Sequence, residues 1–75
     1  MWEQDFKLLK VVLSQNIKGL RRDRGIAQER LGLESGVDRT LISKIERQIA
    51  NPSLEILSKI AGYLQVSVLE LLTKK

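Results

Sequence analysis

The 75-residue chain reads as an all-α fold of five helices in one compact domain. Two observations predict that class. Apolar residues recur at steps of three and four along most of the chain, and no stretch alternates apolar and polar as a half-buried strand would. Only one proline occurs, and it stands where a helix begins.

The first helix runs from about Asp5 to Arg24. Phe6, Leu9, Leu13, Ile17 and Leu20 draw one apolar stripe on it, which reads as a core face. Gly25 ends this helix, and Arg21, Arg22 and Arg24 in its last turn suit the negative end of the dipole. A second helix spans about Ala27 to Ser35, with Ile26 and Leu31 spaced as a hydrophobic staple. Ala27 is a poor cap, a deficit of typically ~1 kcal/mol relative to Ser or Thr. Gly36 breaks the pattern. Asp38 then caps a third helix from Arg39 to about Arg47, with Leu41, Ile42 and Ile45 facing the core. Asn51-Pro52 reads as cap and first residue of a fourth helix, whose stripe is Leu54, Leu57, Ile60, Ala61 and Leu64. Gln65-Val66 is a break, and Ser67-Val68-Leu69-Glu70 fits a capping box opening a fifth helix that ends near Leu72.

Composition excludes several classes. With no Cys and no His there is no disulfide framework, cysteine nucleophile, imidazole base or common zinc site. No metal, no cofactor and no enzyme activity are expected. The length suits one domain over residues 1–75, burying roughly 60% of its unfolded surface. Met1-Trp2-Glu3-Gln4-Asp5 lacks the order of a signal peptide, and no apolar run nears the ~20 residues that span a bilayer. A soluble, cytoplasmic protein without a membrane partner is expected.

The net charge of +4 is unevenly placed. Residues 18–47 carry eight basic and five acidic side chains, whereas residues 1–17 balance. Within that basic segment, two short helices meet at the glycine-containing turn Ser35-Gly36-Val37. This is the pattern of a helix-turn-helix, over residues 27–47, whose second helix enters the major groove of double-stranded DNA amino end first. The residues placed to read base edges are Arg39, Thr40, Ser43 and Lys44, on the face opposite Leu41, Ile42 and Ile45. Arg39 can bond guanine bidentately, Thr40 can touch a thymine methyl, and Lys44 can reach guanine or phosphate. Asp38 caps the helix and offers a carboxylate that can also steer Arg39.

Gly25-Ile26-Ala27-Gln28, Leu31, Ser35 through Thr40, Ile42-Ser43, Ile45-Glu46-Arg47 and Asn51-Pro52-Ser53-Leu54 resemble the signature of the lambda/Cro-type (Xre-type) repressor domains. The likeness runs from about Asn16 to Leu72. The run Asp38 through Arg47 looks most like the controller proteins of restriction–modification systems. The resemblance implies that Gln28, Arg47 and Asn51 contact phosphates, with Gln28 also bracing a recognition-helix side chain. It implies a structural ion pair between Arg21 and Glu46. Three departures stand out: Ala27 in place of a Ser or Thr cap, Gly32 where Ala is usual, and no glycine in Gln48-Ile49-Ala50.

A single short helix reads too few base pairs to select an operator, and the family answers with a homodimer on a palindromic operator, half-sites ~34 Å apart. Residues 53–72 supply the candidate dimerisation region, with Val66, Val68, Leu69 and Leu72 as its apolar contacts. Whether Trp2 and Phe6 join that interface the sequence leaves open. The resemblance further implies a regulator that activates and represses its own promoter, with Glu29 or Glu34 as a contact for RNA polymerase. The alternatives are an antitoxin of the same fold, whose partner is a toxin protein, or a phage-type repressor.

Overall fold

The computed structural model describes residues 1–75 as five helices: α1 Trp2–Asp23, α2 Gln28–Ser35, α3 Arg39–Glu46, α4 Leu54–Leu64 and α5 Val68–Leu71. There is no strand, so the all-α class holds. One core joins all five: Leu13 and Ile17 of α1, Leu31 of α2, Val37 of the turn, and Ile42 and Ile45 of α3 pack with Leu57, Ile60, Ala61 and Leu64 of α4 and Leu71 of α5. Each such aliphatic side chain larger than alanine stabilises the fold by about 1.5–3 kcal/mol when removed from water.

The 22-residue α1 is about 33 Å long at 1.5 Å per residue, close to the 36 Å long axis of the whole molecule. Its first turns therefore overhang the core. Leu9, expected in the core stripe, is 43% exposed, and Phe6 is only half-buried. The helix nevertheless starts at Trp2, three residues before the Asp5 that the stripe indicated. An i,i+4 ladder holds the overhang: the Trp2 and Phe6 rings lie 6.1 Å apart, and the Lys10 ammonium sits 4.5 Å above Phe6.

Four left-handed residues close helices. Gly25 (φ +63°) and Gly36 (φ +77°) do so after α1 and α2, where glycine adopts this conformation without a Cβ clash. Gln48 (φ +66°) and Gln65 (φ +59°) do the same after α3 and α4. The amides that follow, Ile49 N–H and Val66 N–H, each donate back across the turn at 3.0 Å, to Lys44 and Ala61 carbonyls.

The start of α4 departs from the reading of Asn51-Pro52 as its cap and first residue. Ser53 is the cap, its Oγ accepting the Ile56 N–H at 3.1 Å, and the helix begins at Leu54. Proline's fixed φ suits the residue before a cap as well as the first helical position, and the Ser53 hydroxyl decides between them. Leu54, at the first turn, is 73% exposed and leaves the stripe to Leu57, Ile60, Ala61 and Leu64. The capping box of α5 is complete: Ser67 Oγ accepts from Glu70 N–H and Glu70 Oε1 from Ser67 N–H, both at 3.0 Å.

Side chains of α1 finish the other helix ends. Asn16 Nδ2 donates to the carbonyls of Leu71 and Thr73, each at 2.9 Å, and to Glu70 at 3.2 Å. The Arg24 guanidinium, just past the end of α1, donates to the Leu64 carbonyl at the end of α4. Every buried side-chain nitrogen and oxygen has a hydrogen-bond partner.

Candidate nucleic-acid interface

The α2–α3 unit is shaped by a close backbone approach. A Cβ on Gly32 would stand 2.6 Å from the Val37 carbonyl oxygen and 3.3 Å from Arg39 Cα. Glycine at 32 therefore lets the turn fold back tightly on α2. Gly36 supplies the left-handed turn, and the Val37 N–H returns to the Gly32 carbonyl at 2.9 Å. Asp38 Oδ1 accepts the Thr40 N–H at 2.7 Å and so starts α3. Ala27 caps α2 without a side-chain bond. The first amides of that helix thus keep their outward hydrogens for an anion.

Behind the exposed face, Glu46 ties three helices together. Its Oε2 accepts Arg21 Nε at 2.8 Å, and its Oε1 accepts Arg21 Nη2 at 2.9 Å and Gln28 Nε2 at 3.0 Å. Arg21 Nη1 also donates to the Ile26 carbonyl at 2.9 Å, fixing the α1–α2 corner. From α1, Ser14 Oγ donates to the Glu46 carbonyl at 2.7 Å. Burial pushes the Glu46 carboxyl up, but the hydrogen bonds from Arg21 and Gln28 and the charges of Arg21 and Lys18 outweigh it and hold it below the usual carboxylate range. The bond to Glu46 raises the Arg21 guanidinium, against a smaller opposing effect of burial.

On the outer face of α3, Arg39, Thr40 and Lys44 are exposed and Ser43 is half-buried. Arg47 and Asn51 are exposed on the segment after it. Gln28 and Arg39 line one open depression of about 630 Å³, with Arg21, Glu29 and Arg30 on its walls. Asn51 lies elsewhere, on an apolar groove of about 160 Å³ with Phe6, Leu9, Pro52, Leu57 and Leu72. The carboxylate beside Arg39 is not Asp38, which is occupied by the Thr40 amide, but Glu29, whose Oε2 lies 3.4 Å from Arg39 Nη1. Sequence reasoning missed this pairing, since the two residues stand ten positions apart on different helices.

The carboxyl-terminal apolar residues are more self-contained than the sequence indicates. Leu71 is fully buried, and Val66, Val68 and Leu72 are half-buried against the core. Leu69 alone of that group faces solvent, at 76% exposure. No helix is long and apolar enough to cross a membrane.

A family model described as helix-turn-helix (HTH_3) matches residues 17–71. The chain is 37% identical over 65 residues to the HTH-type transcriptional regulator SinR of Bacillus subtilis, covering 85% of this chain and 59% of SinR. It thus spans about three-fifths of the length of the SinR relatives it matches. Over 70 residues it is 36% identical to the control protein C.SmaI of Serratia marcescens, covering 93% of this chain and 83% of that one. The solved structure of SinR in complex with DNA matches with a TM-score of 0.77 at 37% identity, over 81% of this chain and 98% of that chain. The restriction-modification controller protein C.AhdI from Aeromonas hydrophila matches with a TM-score of 0.78 at 35% identity, over 83% and 94%. Family model, relatives and the turn at Gly36 agree: the chain belongs to the Xre-type helix-turn-helix (HTH_3) family.

Proposed function

We propose that this chain is a cytoplasmic, sequence-specific DNA-binding regulator of transcription that presents α3 to the major groove and acts as a homodimer on a palindromic operator. The observation that carries the reading is the exposed Arg39, Thr40 and Lys44 face, backed by the Arg21–Glu46–Gln28 network. Recognition by a short helix needs side chains held in register, and that network joins α3 to α1 and α2. Arg39, Thr40, Ser43 and Lys44 read bases. Gln28 uses one amide hydrogen on Glu46 and offers the second to a phosphate, beside the open amino end of α2. Arg47 and Asn51 complete the phosphate set.

The finer reading is a restriction–modification controller, activating its own promoter at low dose and repressing it at high dose. The likeness to C.SmaI and C.AhdI supports it. One exposed carboxylate of α2, Glu29 or Glu34, is the candidate contact for RNA polymerase.

The test is selection of binding sites from random DNA, followed by salt titration on the winning sequence. A palindrome with half-sites about one helical turn apart is expected. Arg39→Ala should then lose ~1–3 kcal/mol on the selected operator and relax preference at one base position. Equal weakening on operator and random DNA would reduce Arg39 to a phosphate contact, and selection that returns no consensus would overturn the whole reading.

A further inference from the structure

Within the depression at the mouth of the helix-turn-helix, one contact serves neither helix. Glu29 is the second residue of α2 and Arg39 the first of α3, and their side chains meet at 3.4 Å. Both are mostly in water, with side-chain exposures of 76% and 66%. An exposed pair of this kind adds little to stability. The other carboxylates near this mouth are engaged elsewhere: Glu34 lies 3.9 Å from Arg30, and Asp38 holds the Thr40 amide. The partner that Arg39 meets in the free protein is therefore Glu29.

A guanidinium fork fits a carboxylate, a phosphate and the O6/N7 edge of guanine equally well in shape. The two that DNA offers, phosphate and guanine edge, differ in how often each occurs. Phosphates are everywhere, and an unrestrained arginine at a helix start takes one on any sequence. A carboxylate beside it changes the balance in two ways: it holds one arm of the guanidinium, through Nη1, until a better acceptor arrives, and its charge repels a phosphate that approaches the same group. A guanine edge carries no net charge, so it escapes that repulsion and still offers two acceptors.

We propose that Glu29 is a positioning residue that sets the specificity of Arg39: it keeps the guanidinium off phosphates on random DNA and yields it, or shares it, only where a guanine lies opposite. This rests on the reading of Arg39 as a base-reading residue. Glu29 then weakens non-specific binding more than operator binding, and the discrimination it adds falls on one base position.

The test uses Glu29→Gln, which keeps the side chain's size and removes its charge, with Glu34→Gln as the control for charge on the same helix. Affinities are measured on the selected operator, on that operator changed at the base where Arg39→Ala relaxes preference, and on random DNA. Glu29→Gln should bind random DNA and the changed operator more tightly, with the operator-to-random ratio falling about three- to fivefold. Glu34→Gln should shift all three DNAs together. In an Arg39→Ala background, Glu29→Gln should leave the ratio unchanged, because the residue through which it acts is gone. If Glu29→Gln moves all DNAs equally while Arg39→Ala still relaxes one base, the positioning role is overturned and base reading stands. If Arg39→Ala weakens operator and random DNA equally, both are overturned.

Discussion

A single carboxylate carries much of the rigidity that the interface needs. Glu46 is almost wholly buried, yet three hydrogen bonds of 2.8–3.0 Å reach its two oxygens. Removing it strands the Arg21 guanidinium and the Gln28 amide, and loss of one partner from a buried pair costs about 3 kcal/mol or more. Glu46→Ala should show that loss in urea unfolding. The same residue predicts a pH dependence. Its carboxyl is held below the usual range in the folded state, so its contribution is fully present above the unfolded value of about 4.3. The contribution is lost as the pH falls through the lower folded value, because the unfolded chain takes up the proton first. Between about pH 6 and pH 3 the native chain should therefore lose more stability than Glu46→Gln, which has no proton to gain there. An equal loss in both would place the acid sensitivity elsewhere. Nothing in the local pattern joins Glu46 to Arg21, twenty-five residues earlier; the crossing of α1 and α3 does. The Glu29–Arg39 contact is likewise a product of the helix crossing, and sequence spacing carries no trace of it.

Among the helices, the same closing turn is built from two kinds of residue. Gly25 and Gly36 take positive φ freely, whereas Gln48 and Gln65 hold φ +66° and +59° against the Cβ clash that disfavours this region. Gln65 is not among the residues proposed to contact DNA, so its replacement probes the turn without touching that set. Gln65→Gly should raise stability by roughly 0.5–1 kcal/mol, the strain relieved exceeding the added freedom of the unfolded chain. For a domain of this size, thermal unfolding should rise by roughly 2–8 °C. An unchanged or lower midpoint would mean that the turn bears no strain. This pair also shows what the sequence conveys about elements. The break at Gln65-Val66 is legible, as are the glycine stops, because each interrupts an apolar period. The left-handed geometry is not legible at glutamine, since the returning amides of Ile49 and Val66 impose it and the side chain does not. The start of α4 is ambiguous for a related reason: Pro52 fits two positions equally, and the hydroxyl of Ser53 settles the register. The overhang of α1 lies outside stripe logic altogether, since Leu9 keeps the period after the core beneath it has ended.

At the scale of the molecule, the proposed operator demands a partner. An eight-residue α3 can span only a few base pairs, so selectivity requires two recognition helices about one turn of DNA apart, ~34 Å. The molecule measures 36 × 23 × 19 Å, so two touching copies can hold their α3 helices at that separation without a linker. Of the residues proposed for the contact, Val66, Val68 and Leu72 already pack partly on their own core. Substituting them would disturb folding and association together. Leu69 is 76% exposed, and its loss should leave the monomer intact. Leu69→Glu should therefore keep the helical circular dichroism of the native chain while shifting its sedimentation from dimer to monomer, and its thermal midpoint should lose the dependence on protein concentration that association gives the native chain. Two linked half-site contacts bind far more tightly than one, so operator affinity should fall by about 100-fold or more. A single half-site, which one copy covers, should be bound almost as before. If sedimentation and operator affinity both remain unchanged, α5 is not the dimer contact, and the exposed apolar surface at Trp2 and Leu8 on α1 becomes the next place to substitute.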